Sequence, residues 1–402
     1  MRKNPRAAVA LLTLLPVVAC AEGDGWAGTV TDSAGVVVVT NPDDGMWTTA
    51  QQWTLEEEMR FGSVEGDLDY QLGQVGGLAV GSDGRIYVSD IQGQHIKVFS
   101  GDGQYMQTIG GPGSGPGELG RNAAFVMLTA GDTAIVPDPT NRRINRYAPD
   151  GTALASAPVR LELGRPTRYK VTPRGVVTAQ VRLPISQSKD LVVVIESSGL
   201  FGDTLITFPS GGANSVPGQI RQFSPEPMWD VTDSLTVLMG VNNEYRIGLY
   251  DRHGSLTRVF SKPYEPAPVT ERDLRAFYAY LDRAWLAAGV TPSRLPELHT
   301  MVHFAEFYPA FMSIHSGYRS SIWVQRIQTP GDLTDEEIER YNFLEEFGSP
   351  NWDVFDNTGR FLGVVVMPSR FQPRAFRDDK IYGVWRDDLD VQHVMRLRIV
   401  VG

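Results

Sequence analysis

The chain has 402 residues, with 37 Lys and Arg against 47 Asp and Glu, a formal net charge of −10. No basic run is concentrated anywhere to offset that charge, which disfavours nucleic acid as a partner. With 41 Gly, 26 Pro and a single Cys, the composition is that of a loop-rich folded protein without disulfides, long enough for two or three domains or one large repeat array.

The N-terminus stands apart. Arg2, Lys3 and Arg6 form a basic cluster, and Ala7–Val18 is apolar apart from Thr13 and Pro16, too short to span a bilayer as a stable helix. It ends Val17-Val18-Ala19-Cys20, which resembles the bacterial lipoprotein signal, in which residues 1–19 are removed and Cys20 takes the lipid. An ordinary secretory signal cut nearby is the alternative. The resemblance implies a diacylglyceryl group and usually an added acyl chain, such as palmitate, on Cys20; more than one chain is what stable anchoring requires. It also implies an exported protein held at a periplasm-facing or cell-surface membrane. Loss of the three basic residues leaves the mature chain more acidic still, so the anchor rather than the surface holds it there. Residues 20–50, with Gly23, Gly25, Gly28, Gly35 and Gly45, read as a tether with one strand at Val36–Thr40.

The stretch Gly84–Gly111, GRIYVSDIQGQHIKVFSGDGQYMQTIGG, reads as three short strands, Arg85–Asp90, His95–Ser100 and Tyr105–Ile109, with apolar residues at a period of two. Asp102-Gly103 supplies the positive-φ residue of a tight turn. Turn glycines recur at Gly103, Gly151 and Gly199, 48 residues apart each time, with counterparts at Gly254 and Gly359. Prolines mark strand starts at Pro166, Pro227, Pro309 and Pro373. Together they give six units, beginning near Gly77, Ala123, Pro166, Pro227, Pro309 and Pro373. A period near fifty with four strands per unit is that of a β-propeller, so the expected fold is all-β, a six-bladed propeller of four-stranded blades over residues 51–402. The sixth unit has strands near Phe371–Phe376, Lys380–Trp385 and Val391–Val401 and then ends. Trp53–Phe61 is the spare segment, expected to pair beside the last strand and close the ring.

The run IYVSD…HIKVFSGDGQYMQTIGGPGSGPGEL resembles an NHL repeat, well over about 75–125 and recognisably at 130–157. Gln92-Gly93-Gln94 departs from that pattern, in which an Asn and a basic residue are usual. The whole chain resembles the six-bladed propeller lipoproteins of bacteria, a group mostly without assigned activity. Other six-bladed relatives include lactonases, a metal-dependent amidating lyase and strictosidine-synthase-like enzymes.

Two helical insertions interrupt the β pattern, at about 265–306 and 328–350. In the first, Thr270 and Asp273 form a capping box, then Leu274, Phe277, Tyr278, Leu281, Trp285 and Ala288 follow at helical spacing up to Gly289. In the second, Thr334 and Glu337 repeat the cap, and Ile338, Tyr341 and Leu344 follow up to Gly348. They either cover propeller edges or gather on a binding face.

The chemistry-bearing residues are few. His299 and His303, spaced to share a helix face, make an incomplete metal site, since the intervening residues lack the Glu of a zinc protease; a solvent-facing or capping pair is the plainer reading. Asp90 and Asp138 end the second strands of their units and either bind a cation at the channel mouth or accept turn N–H groups. His95 sits beside Asp90. Gly110–Gly120 lacks the Lys-Ser/Thr ending of a phosphate loop, and no nucleophile elbow is present. Arg168 and Arg374 fall on first strands, which line the channel, where two guanidiniums can hold a carboxylate or phosphate, or each can pair with an Asp of the next blade. Phe277, Tyr280 and Trp285 are candidates for a partner surface or for core packing. The expected function is a membrane-anchored extracytoplasmic binding or scaffold module for a protein or glycan partner, with no cofactor, metal or catalytic residue assigned. The alternative is a hydrolase or lyase with a divalent metal at the channel mouth.

Overall fold

A computed structural model describes residues 25–159, 164–184, 187–210, 219–343 and 348–402. The signal segment, Cys20 and Leu344 lie outside them.

The molecule is a six-bladed β-propeller of four-stranded antiparallel blades. Blade one is Val75–Val80, Ile86–Asp90, His95–Phe99 and Tyr105–Ile109; blade two is Met127–Leu128, Ala134–Asp138, Arg143–Tyr147 and Ala153–Pro158. Blade three is Arg165–Val171, Val177–Arg182, Lys189–Ile195 and Phe201–Pro209; blade four is Pro227–Val231, Val237–Val241, Arg246–Tyr250 and Leu256–Ser261. Blade five is Ser313–Ser316, Ile322–Ile327, Gly348–Phe355 and Phe361–Val366. Blade six supplies Phe371–Arg377, Lys380–Arg386 and Gln392–Val400, and its outer strand is Thr54–Phe61 from the front of the chain.

That closing strand pairs antiparallel with the last one, Phe61 opposite Val394 and Thr54 opposite Val400, as the unfinished sixth unit required. Glu58 fastens it, lying 2.9 Å from the Arg396 guanidinium, 3.4 Å from Arg398 and 3.6 Å from Lys380. The five turn glycines, Gly103, Gly151, Gly199, Gly254 and Gly359, all hold φ between 79° and 88°, which explains their recurrence: each makes the same turn into an outer strand. Blade six has no such turn because its outer strand comes from elsewhere.

A single blade cannot bury both its faces. Between successive blades lie six apolar clusters, for example Tyr87, Val98, Val136 and Tyr147 between one and two, and Trp323, Trp352, Phe376 and Leu397 between five and six. The sixth cluster, with Phe99 and Val88 against Tyr382 and Val394, joins blade six to blade one, so the ring of cores is continuous.

Three details differ from the sequence reading. Thr29–Ser33 and Val36–Thr40 form a hairpin laid parallel against the outer strand of blade four, so the expected tether is docked over this part rather than free. Asn41, 3% exposed, locks it: its Nδ2 donates to the carbonyls of Ser261 and Gly359, and Phe361 N–H donates to its Oδ1. The hairpin covers an edge that would otherwise stay open. Pro309 is not a strand start; blade five begins at Ser313. The second insertion helix is only Asp335–Arg340, because Tyr341 turns to extended backbone.

The helices are α1 (Glu271–Ala287), α2 (Leu295–Thr300) and α3 (Asp335–Arg340). Both expected capping boxes are present, at Thr270–Asp273 and Thr334–Glu337. Together with the two-stranded parallel pair Ile220–Gln222 and Val302–Phe304, the helices enclose a seventh core of Phe223, Phe277, Leu281, Tyr308 and Phe343. The insertions are therefore one cap with its own apolar centre. Arg272 ties α1 to Asp335 at 2.8 Å, and Tyr280 donates to Asn342 Oδ1 at 2.8 Å. Among the described residues no helix is long and apolar enough to cross a membrane.

Candidate functional site: the central channel

The first strands of all six blades face a cavity of about 1300 Å³ on the propeller axis, touched by Leu78, Met127, Lys170, Asp230, His315 and Arg374 in turn. The cap reaches the same cavity through Tyr280, Arg283 and Arg340, so it stands over the end at which the first strands begin. Arg283 is steadied there by donating to Glu339 O at 3.1 Å.

Halfway down, charged groups from four blades meet. The strand Arg165–Val171 carries Arg168 and Lys170 two residues apart, so both fall on one face of it. Arg168 donates to Pro227 O at 3.3 Å and lies 3.8 Å from Glu226, both at the edge of blade four. Lys170 reaches past blade four to blade five, where its Nζ donates to Ile314 O at 3.4 Å and stands 3.5 Å from His315 Nδ1. Arg374 enters from blade six on the residue where its first strand bulges, exposed to the channel and in contact with Gln372 Oε1 at 3.0 Å. Asp230 brings a buried carboxyl to this cluster, 6% exposed and accepting the Ser316 N–H at 2.6 Å.

The surrounding protein shifts Lys170, His315 and Asp230 towards their neutral forms. Burial lowers the pKa of the Lys170 ammonium, Asp230 works against that, and Arg168 and Arg374 add to the lowering. Burial pushes the His315 imidazole well below its ordinary value, reinforced by the charges of Lys170 and Arg374. Its ring is neutral and packs between Trp352 and Phe376, with centroids 5.6 and 5.2 Å away. Burial raises the Asp230 carboxyl, opposed by Lys170 and by the Ser316 N–H. Among the described residues, Arg168, Lys170 and Arg374 thus share a walled space with the Asp230 carboxyl, and Glu226 stands beside Arg168. Guanidinium and ammonium donors converging on one cavity are the chemistry that suits carboxylate or phosphate oxygens.

Arg168 and Arg374, singled out on the sequence as channel residues, do line one cavity. Lys170, Asp230 and His315 were missed, although Lys170 lies at the period-two position from Arg168. Asp90 and Asp138 are not channel ligands. Asp90 accepts the N–H groups of Gly73, Gln74 and Gly93, and Asp138 those of Gly120 and Asn141 together with the side-chain amides of Asn141 and Asn145. Both are buried, at 4% and 0% exposure, so their oxygens are consumed by the turns. His95 joins the same turn, its Nδ1 beside Gly93 O at 3.0 Å.

The aromatic trio is not an open partner surface. Phe277 is fully buried in the cap core, Tyr280 faces the channel, and Trp285 is half-buried 6.0 Å from the His299 ring. His299 and His303 do not share a helix face, because α2 stops at Thr300 and His303 lies on the strand paired with Ile220–Gln222. His299 instead meets Asp282 Oδ1 at 2.6 Å. Among the described residues no three His, Cys, Asp or Glu side chains converge as a metal site. The cluster of Arg168, Lys170 and Arg374 also opposes a divalent cation in its own neighbourhood.

A family model described as "6-bladed beta-propeller", DUF5128, matches residues 55–154. Among solved structures, a member of the DUF4221 family from Bacteroides vulgatus is similar at 9% identity, over 88% of this chain and 100% of that one, with a TM-score of 0.52. A candidate exported protein of Bacteroides fragilis is similar at 13% identity, over 90% and 99% of the two chains, with a TM-score of 0.50. A virginiamycin B lyase from Staphylococcus aureus is similar at 11% identity, over 87% and 100%, with a TM-score of 0.42. At these identities the likeness is one of fold. Comparison with curated proteins gave no match.

Proposed function

We propose that this chain is an exported lipoprotein of the NHL-repeat kind, anchored through Cys20, whose propeller is a binding module that takes an anionic ligand into its channel. The observation that carries the reading is the middle layer, where Arg168, Lys170 and Arg374 gather around one cavity in a chain whose net charge is −10. An acidic exterior repels anions at large, while a positive site inside low-dielectric walls focuses the field on those that enter. Guanidiniums and an ammonium suit carboxylate or phosphate oxygens. The cap over one mouth restricts what reaches them.

The test is the unfolding midpoint of the soluble domain titrated with inorganic phosphate at constant ionic strength. A ligand that binds only the folded state raises it in proportion to the logarithm of its concentration. The reading expects that logarithmic rise in the natural protein and none in Lys170→Met. An equal response in both, or none in either, overturns it. For the anchor, Cys20→Ser is expected to leave membranes in fractionation; retention there overturns that half.

A further inference from the structure

The channel offers more than charge. Phe125 is 42% exposed and lines the cavity. Its ring sits 5.8 Å from that of Tyr169, the residue between Arg168 and Lys170. The platform is built rather than incidental. A Cβ on Gly77 would fall 2.9 Å from Val126 N and 3.1 Å from Phe125 Cα, so the glycine lets blade one's first strand press against the segment that carries Phe125. An apolar ring held open to a charged channel waits for an apolar face.

Polar groups complete the lining. Ser313 donates to Gln325 Oε1 at 3.0 Å and Gln325 Nε2 donates to Ser349 O at 3.2 Å, which leaves a donor and an acceptor position on that amide. Gln328 and, from blade six, Gln372 also line the cavity.

We propose that the anion taken into this channel is a sugar acid. Its ring stacks a C–H face on Phe125, its carboxylate meets Arg168, Lys170 and Arg374, and its hydroxyls meet the amides that line the cavity. This inference rests on the anion-binding reading and adds the ring to it. A small acid such as acetate can use the cations alone, and a neutral sugar can use only the platform and the amides.

The experiment is isothermal titration calorimetry with galacturonate, galactose, acetate and benzoate at matched ionic strength. Galacturonate is expected to bind about tenfold more tightly than acetate, with galactose and benzoate weaker than galacturonate. Phe125→Ala is expected to bring galacturonate down to the affinity of acetate while acetate stays unchanged; Phe125→Leu, which keeps an apolar side chain in place, is expected to act in the same direction. Galacturonate no tighter than acetate overturns the sugar-acid proposal and leaves anion binding standing. Benzoate as tight as galacturonate overturns the sugar. Galactose as tight as galacturonate, or no binding by any of the four, overturns both readings.

Discussion

The Lys170 ammonium, which begins on blade three, ends 3.5 Å from His315 Nδ1 on blade five. A lysine that spans a blade inside a propeller channel adds its charge to the burial that keeps that imidazole neutral.

Acidification is where that imidazole is felt. In the unfolded chain a histidine titrates near 6.5, whereas in the fold His315 is held well below, by burial first and then by Lys170 and Arg374. Below pH about 6.5 the unfolded state therefore binds a proton that the folded state refuses. Stability falls as pH falls, by about 1.4 kcal/mol for each pH unit between the two values. Asp230, shifted upward, contributes the opposite slope at lower pH. Denaturant unfolding of the natural protein and His315→Gln across pH 5 to 7 is expected to show a steeper loss in the natural protein.

Removing one cation should weaken the ligand without weakening the fold. Arg374 is exposed to the channel, so Arg374→Gln is expected to leave the unfolding midpoint within about half a kcal/mol of stability. Phosphate affinity is expected to drop about tenfold, or about 1.4 kcal/mol. Calorimetry at low and moderate salt checks this, and the difference should shrink as salt rises.

The closing strand depends on Glu58. Glu58→Lys sets a cation among Arg396, Arg398 and Lys380 in place of the carboxylate they share. The expected cost is on the order of 2 kcal/mol, larger at low salt, read from urea midpoints at two ionic strengths.

The cap core can be loosened separately. Phe277 has no exposed surface and meets Phe223 and Phe343 with ring centroids 5.8 and 5.5 Å away. Phe277→Ala is expected to cost the cap about 3–5 kcal/mol. Limited proteolysis should then cut within 265–343 first, while the blades persist as a resistant fragment.

What could be read beforehand follows from the range of the interactions. Turn glycines and alternating strands are local, so the six blades and the missing outer strand of the last were visible, as was the partner segment at Trp53–Phe61. The hairpin at Val36–Thr40 lies against Leu256–Ser261 by a parallel pairing across more than two hundred residues, and no local pattern marks such a contact. Arg168 and Arg374 were legible because first strands line a propeller channel. His315 and Asp230 were not, since SIHS and MWDV are ordinary strand sequences until the ring brings them beside Lys170. Asp90 and Asp138 were legible in their turn role for the opposite reason: their repetition by blade came from the turn they both build.

The account turns on an anion seated between Arg168, Lys170 and Arg374. Crystals soaked in selenate and measured at the selenium edge test it directly. The account predicts an anomalous peak within hydrogen-bond reach of Lys170 Nζ and the Arg374 guanidinium in the natural protein, lost in Lys170→Met. Peaks confined to the outer surface, with the channel showing none, would contradict it.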